Sequence, residues 1–453
     1  MHWLRPIGVL LAGLLLAQAA TAQEEPKAAY WHTLGQPWSQ YRPDTSLSGF
    51  QRYNPLDQET PWLDMGTPVG LAHPLVQETV THRGYRTGWS QYEPFVRDRE
   101  DIRLYKQPRP FTDLFYVQGV QAEQWLRAIH SRRLGTQLRL AADYSIYNAN
   151  GFYANQRANI DNFNVNLAYD SKNKHYYWRG GYLSNDVSHQ MNGGVDTTAI
   201  GREEVFLQSR KEFVPVQLDD AIARWNQRVG WMRHGYQWLG KTEYEKDDSV
   251  YTKTFPLLAL EHEARYVREL FRYVDPLPDT GYYGELLLRT DSTTDRSVLQ
   301  GVQNRVGLRL SGLRGYRGDT ALYLPFVSAA YVEYDRYVWH QQGRQQYDQN
   351  LSLYARLADH PEVDQPWQLR AEGRYFITGF NGGDYWLQGD GALRLAQRFT
   401  VTAGISFVRE TNSLLHTSYL SNAAFWDTSW NKQNTQQIRA GLTYVPTGTQ
   451  LRV

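Results

Sequence analysis

The sequence predicts an all-β fold: a closed, antiparallel transmembrane β-barrel of an outer membrane. Three observations carry this. A secretory signal opens the chain. Segments of about ten residues that alternate apolar and polar side chains fill most of the remaining length. Tyrosine and tryptophan are abundant, 32 and 15 among 453 residues. Strand side chains alternate faces with period two, so each such segment has one apolar and one polar face. A wall built from them turns the apolar face to lipid and the polar face to a wet lumen. A tyrosine-rich soluble sandwich or propeller shares the composition, but no repeat of fixed period marks propeller blades.

Residues 1–22 read as the signal peptide. Arg5 is the positive start, Ile7 to Leu16 the apolar stretch, and Ala20-Thr21-Ala22 the small-residue cleavage site. The apolar stretch is shorter than the ~20 residues a spanning helix needs. Residues 23–108 alternate poorly and are interrupted by Pro37, Pro43, Pro55, Pro61, Pro68, Pro74, Pro94 and Pro108. They read as an irregular N-terminal extension: a periplasmic segment, a plug or first strands.

Residues 109–453 read as the barrel. A first hairpin runs from Thr112–Val117 to Gln124–Ser131, followed by Gln137–Tyr147 with Leu138, Leu140, Ala142, Tyr144 and Ile146 on one face. In Asn162–Tyr169 the apolar face is Phe163, Val165, Leu167 and Tyr169. A turn at Asp170–Lys174 leads to Tyr176–Ser184, and Ser188–Pro215 reads as a long loop holding Asn192-Gly193-Gly194. Further strands are expected at Ala223–Tyr236, Leu257–Tyr266, Gly284–Thr290, Val298–Leu310, Tyr323–Tyr337 and Asn350–Leu357. The last are Trp367–Thr378, Tyr385–Leu395, Thr400–Arg409 and Gln437–Tyr444. The total is about fourteen or more strands, with boundaries loosely set. Connections alternate between short (Asp170–Lys174, Gly379–Asp384) and long (Asn185–Pro215, Gly240–Phe255, Asn412–Thr435), as in a membrane barrel with short inner turns and long outer loops.

Charge and cysteine content exclude several classes. Without the signal the chain carries 47 basic and 47 acidic residues, so nucleic acid is not an expected partner. There is no cysteine, which rules out a disulfide scaffold and a thiolate metal site.

Several short motifs occur in order along the chain. Asp44-Thr45-Ser46-Leu47 lies near the mature start, then Pro108-Arg109-Pro110-Phe111-Thr112-Asp113-Leu114 with Tyr116 to Gly119, and His130-Ser131. Gly151-Phe152-Tyr153 with Asn155-Gln156, Asn192-Gly193-Gly194-Val195, and Glu261-His262 with Tyr266 come next. Tyr282-Tyr283, Asn304, and Ser421-Asn422 to Trp426 complete the series. From about Tyr41 to Tyr444 the chain thereby resembles the Bacteroidota-type putative porin family. The resemblance implies an outer-membrane barrel that passes small solutes. Family members run on for further strands, whereas this sequence stops at Leu451-Arg452-Val453, so the barrel is expected to be incomplete at its C-terminus.

Assigning the polar face as lumen yields candidate pore-lining residues. The basic ones are Arg139, Arg179, Arg224, Arg228, Arg305, Arg309, Arg356, Arg370, Arg374, Arg394 and Arg439. The acidic ones are Asp143, Glu261, Glu263, Glu372 and Asp390. The arginine excess points to a mild anion preference, unless the charges pair across strands and stiffen the wall. Tyr176, Trp178 and Tyr182, Trp225 and Trp231, and Trp386 read as interfacial girdles rather than a sugar-stacking track. His262 faces away from Glu261 and Glu263, so the three cannot share a metal.

Catalysis is not expected. His130-Ser131 and His416 with Ser413 or Ser418 are nominal pairs, but no strained nucleophile turn accompanies them. Asn381-Gly382-Gly383-Asp384 reads as a turn before it reads as a calcium loop, and Asp247-Asp248 as a polar loop. No cofactor is implied. Expected partners are outer-membrane lipid and small polar solutes. A homo-oligomer is open, as is a substrate-specific or plugged transporter, or a structural barrel of an envelope complex.

Overall fold

The computed structural model describes residues 29–32, 39–41, 62–64, 71–75, 84–98, 101–198, 210–246, 249–317, 320–323, 326–359, 366–395, 398–447 and 449–452. Residues 1–22 and Asp247-Asp248 lie outside them. One 15-stranded antiparallel sheet dominates. Its strands are β1 (Phe111–Gln118), β2 (Gln124–Leu134), β3 (Leu138–Ala149), β4 (Ala158–Asp170) and β5 (Tyr176–Gln190). Next come β6 (Ile222–Lys246), β7 (Ser249–Asp275), β8 (Thr293–Leu310), β9 (Phe326–Gln341) and β10 (Arg344–Asp359). The series ends with β11 (Trp367–Gly379), β12 (Tyr385–Leu395), β13 (Phe399–Glu410), β14 (Gln433–Tyr444) and β15 (Thr449–Arg452). Each strand pairs with the next in sequence, so the wall is a continuous meander. Among the described residues β1 and β15 each have one partner, and the sheet is not closed.

The alternation seen in sequence becomes alternation in burial. In β4 every second residue from Ala158 to Ala168 is buried and those between are half-buried. Because the meander reverses at each connection, successive connections fall at opposite ends. One end carries 119–123, 150–157, 191–221, 276–292, 342–343, 380–384 and 411–432; the other carries 135–137, 171–175, 247–248, 311–325, 360–366, 396–398 and 445–448. The three longest connections, 191–221, 276–292 and 411–432, share the first end, although short turns such as 380–384 lie there too and 311–325 lies at the other.

Two expectations are corrected here. Gly240–Phe255 is not a loop: β6 and β7 run on as a paired ribbon to Lys246 and Ser249, with a bulge between Trp238 and Leu239. Backbone pairing sustains the ribbon where the apolar alternation has faded. Gly284–Thr290 is not a strand: a short helix, Thr280–Tyr283, precedes it, and its backbone finds no sheet partner. Its donors bind Asn422 instead. The Asn422 side-chain oxygen accepts from the backbone N–H of Leu288 at 2.8 Å and of Arg289 at 2.7 Å. The Asn422 amide donates to the Arg289 carbonyl and to Thr293 Oγ1. Asn422 is only 1% exposed and ties the 411–432 connection to the 276–292 connection. Asn422→Ala strands several buried donors and acceptors, at about 1–3 kcal/mol each before relaxation. The expected outcome is faster proteolysis within 411–432, read by limited digestion of the folded protein.

A segment made up of residues 84–98 and 101–107 runs along one face of the sheet. The Gln107 side-chain oxygen accepts from Ser131 Oγ on β2 at 2.7 Å, while at the segment's other end Arg86 pairs with Glu410 on β13 at 2.8 Å. Between them it touches β3 through Arg97–Asp143, β4 through the Phe95 carbonyl and Asn162, and β7 through Thr87 and Glu269. One short segment reaches the same face of strands from β2 to β13, so the sheet curls round it. That face is the inside.

Candidate functional site: the inner face of the wall and the segment that fills it

Residues 84–98 and 101–107 lie in the interior because their aromatic side chains match apolar positions on the inner wall. Ser90–Phe95 forms a 3-10 turn that buries Tyr92 and Phe95. These pack with Tyr147, Ile160, Val187 and Trp225, and Trp89 stacks on Phe271 with ring centroids 3.6 Å apart. Burial raises the Tyr92 hydroxyl above its usual range. Ile102 packs lower down with Leu183, Val229, Trp231 and Val267. Tyr85 stacks on Tyr337 at 4.6 Å, and its hydroxyl donates to Asp348. Burial first, then the Asp348 carboxylate, pushes that hydroxyl up, so it stays a donor. Polar wall residues catch the segment's backbone. Asn185 accepts from Arg97 N–H at 3.1 Å and donates to the Arg97 carbonyl at 2.8 Å.

The connection 411–432 adds a second fastening. The backbone N–H groups of Leu414 and Leu415 donate to the carbonyls of Arg86 and Thr87. Gly88, at φ +109, lies against Ser413: a Cβ there would meet Ser413 Oγ at 2.5 Å.

Beside the segment the inner wall carries a network of paired charges. Glu261 on β7, 1% exposed, receives Arg233 at 2.5 Å, Arg309 at 2.8 Å, and the hydroxyls of Tyr177 and Tyr331. Arg305 bridges Glu263 at 2.6 Å and Glu333 at 3.7 Å, and Arg374 holds Glu333 at 2.7 Å. Arg139 and Arg179 share Asp170, and Arg127 and Arg97 share Asp143. Arg370 pairs with Glu372 at 2.7 Å and Arg439 with Asp390 at 3.0 Å. Arg356 stands opposite Glu372 in register, and Arg394 shares the inner face of β12 with Asp390. Pairing removes much of the field that an arginine excess would create, since most of these guanidiniums contact a carboxylate.

Fourteen of the sixteen sequence candidates therefore share the inner face. Arg224 and Arg228 do not. In β6 the inward residues are Trp225, Gln227, Val229, Trp231 and Arg233, so Arg224 and Arg228 point outward, and Arg228 bonds Asp186 at 2.7 Å. The physical reason is local inversion. The interior is filled by Tyr92 and its neighbours here, so apolar side chains face in. Trp225, Trp231 and Trp386 are buried inside rather than forming girdles. Tyr176, Trp178 and Tyr182 do lie on the outer face.

Asp170, Arg233, Glu333 and Asp335 join the inner face without a clear signal in the sequence. Asp170 opens a segment that reads as a turn. The face Tyr331, Glu333, Asp335, Tyr337 mixes aromatics with acids, and only its period-two spacing betrays it. The remaining motifs resolve simply. Ser413 Oγ and His416 Nδ1 are 2.8 Å apart, but Ser413 is buried against Gly88. Ser131 faces in and His130 faces out. His262 bonds His234 at 3.0 Å on the outer face, away from Glu261. The Asp384 carboxylate is taken by Lys432 at 2.6 Å and by Thr411.

The family described as putative porin matches residues 31–453. The chain belongs to the putative porin family. No curated protein matches this porin-family chain. Among solved structures it is similar to the ferric-catecholate import receptor Fiu of E. coli K12, at 10% identity and a TM-score of 0.45, over 75% of this chain and 58% of that one. It is similar to the ferric enterobactin receptor PfeA of Pseudomonas aeruginosa, at 11% identity and a TM-score of 0.46, over 74% and 51%. The siderophore receptor PirA of Acinetobacter baumannii gives 10% identity and a TM-score of 0.45, over 76% and 56%. The porin-family chain spans little more than half the length of these structures.

Proposed function

We propose that this porin-family chain is an outer-membrane barrel that passes small polar solutes without catalysis, through a lumen narrowed by its own residues 84–107. The observation that carries the reading is the division of the wall. Its outer face is an apolar belt that includes Leu260, Tyr266, Val302, Val306, Leu308, Leu310, Val332 and Leu353, all exposed. Its inner face is charged and hydrogen-bonded. A soluble protein rarely leaves so much contiguous apolar surface open, and a lipid-facing wall requires it. The end with the three longest connections is then the outward one and the opposite end the periplasmic one.

The test is conductance of the refolded protein in a planar bilayer. Small, steady steps support the reading. Stable insertion without conductance would instead favour a blocked transporter or a structural barrel, and failure to insert would sink the membrane reading. The anion preference expected from the arginine excess should be weak because the inner charges are paired. A reversal potential close to zero in a salt gradient is the expected result, and strong selectivity of either sign would contradict it.

A further inference from the structure

Outer-face side chains change character along the strands. On β6 the outer residues run Arg224, Asn226, Arg228, Gly230, Met232, His234, Tyr236 and Trp238, from the long-loop end downward. On β7 the matching series is Arg272, Leu270, Arg268, Tyr266, Ala264, His262 and Leu260. Tyr182, Gly230, Tyr266 and Val302 form one rung of register, and Trp238 lies eight residues below Gly230. At about 3.4 Å per residue and a tilt near 40°, that separation is roughly 20 Å along the membrane normal, close to the height of an apolar belt. Tyr182 and Tyr266 therefore mark the upper edge of the belt.

Above this edge the arginines gather in two tiers. The lower tier places Arg228 and Arg268 opposite each other. The upper tier, four residues further, places Arg224, Arg272 and Arg296 side by side on three adjacent strands. Side chains directly opposite on a sheet lie about 4.5–5.5 Å apart at Cβ, and like charges there repel. Arg228 is held by Asp186. Arg224, Arg268, Arg272 and Arg296 have no acidic partner among the described residues, and all but Arg268 are exposed.

We infer that these arginines bind the phosphorylated saccharide head group of a lipid in the outward leaflet. The inference rests on the barrel reading and its orientation. Guanidinium forks match phosphate oxygens in pairs, and an anion between neighbouring arginines offsets their mutual repulsion. The tiers begin one rung above the belt, where head groups start. Their separation is about 13 Å along the strand. A single phosphodiester cannot answer both tiers, whereas a head group with phosphates at two depths can.

The experiment titrates the full chain in dodecyl maltoside with fluorescent rough-type lipopolysaccharide. The comparison is with the triple variant Arg224→Gln, Arg272→Gln, Arg296→Gln and a control triple outside the tiers, Arg210→Gln, Arg289→Gln, Arg344→Gln. Each arginine near a charged membrane surface contributes about five-fold in affinity, so the first triple should weaken binding on the order of a hundred-fold. The control should bind as the parent does. Equal loss in both triples, no loss in the first, or equal competition by phosphatidylglycerol or inorganic phosphate overturns the inference. Flotation with neutral phosphatidylcholine vesicles is scored in parallel. Insertion without arginine-dependent binding removes this inference alone, whereas failure of every form to insert removes the barrel reading with it.

Discussion

Removing the interior segment is expected to raise single-channel conductance by about an order of magnitude, because a wall of this strand number encloses a water-filled interior unless something occupies it. Residues 84–98 and 101–107 occupy it here. Trp89, Tyr92 and Phe95 fill the interior near β3 to β7, and Tyr85 and Arg86 cross to β9, β10 and β13. A deletion of residues 23–106 is the direct form of the test. Its folding is checked first by heat-modifiable gel mobility, since apolar wall residues such as Trp225 and Val229 would then face water.

A second variant guards against failure to fold. The chain has no cysteine, so Phe95→Cys with Asn162→Cys introduces one isolated thiol pair where the Phe95 carbonyl lies 3.1 Å from Asn162 Nδ2. If conduction depends on movement of the segment, oxidation should reduce open time and reductant should restore it. Equal conductance with and without the segment, together with indifference to the staple, would show that the interior path bypasses it.

The second large effect is expected at Glu261. Its carboxylate is 2% exposed and holds Arg233 and Arg309, whose side chains are 13% and 29% exposed, together with two tyrosine hydroxyls. Removing one member of a buried ion pair leaves an uncompensated charge and costs about 3–5 kcal/mol. Glu261→Ala should lose at least this much, because two guanidiniums are stranded together. Glu261→Gln keeps volume and an acceptor for Tyr177 or Tyr331 but no countercharge, so it should recover only a part. Urea titration of the folded fraction in detergent, read by gel mobility, measures both. The control is Arg356→Gln: Arg356 has no bonded acidic partner among the described residues and should change stability little. Glu261→Ala matching Arg356→Gln would mean that the network does not stabilise the wall.

The wall is legible in the residues themselves. Asn162–Tyr169 alternates so regularly that both its strand character and its inner face come from spacing alone, and Asn162 and Asn166 do catch the interior segment. Arg139, Glu261, Arg305 and Arg374 fall on the inner face for the same reason. The partners of those charges are not legible, because pairing depends on register between strands. Arg374 meets Glu333, from a strand that is not its neighbour in the sheet.

Arg224 and Arg228 show where a purely local rule fails. Inner positions are polar where they meet water or the backbone of the interior segment, and apolar where they meet its side chains. Beside Tyr92 and Ile102 they meet side chains, so Trp225 and Val229 turn inward and the arginines turn out. Gly240–Phe255 fails for the opposite reason: backbone pairing extends β6 and β7 past the point where side-chain alternation signals a strand.

The all-β wall, the order of its strands and the family of the chain are written in the residues, because period-two alternation and turn chemistry are local properties. Folding in three dimensions settles the rest: which face is wet at each height, which charges neutralise one another and where residues 84–107 lie. Those depend on contacts between residues hundreds of positions apart, such as Arg86 with Glu410, and no local pattern encodes them.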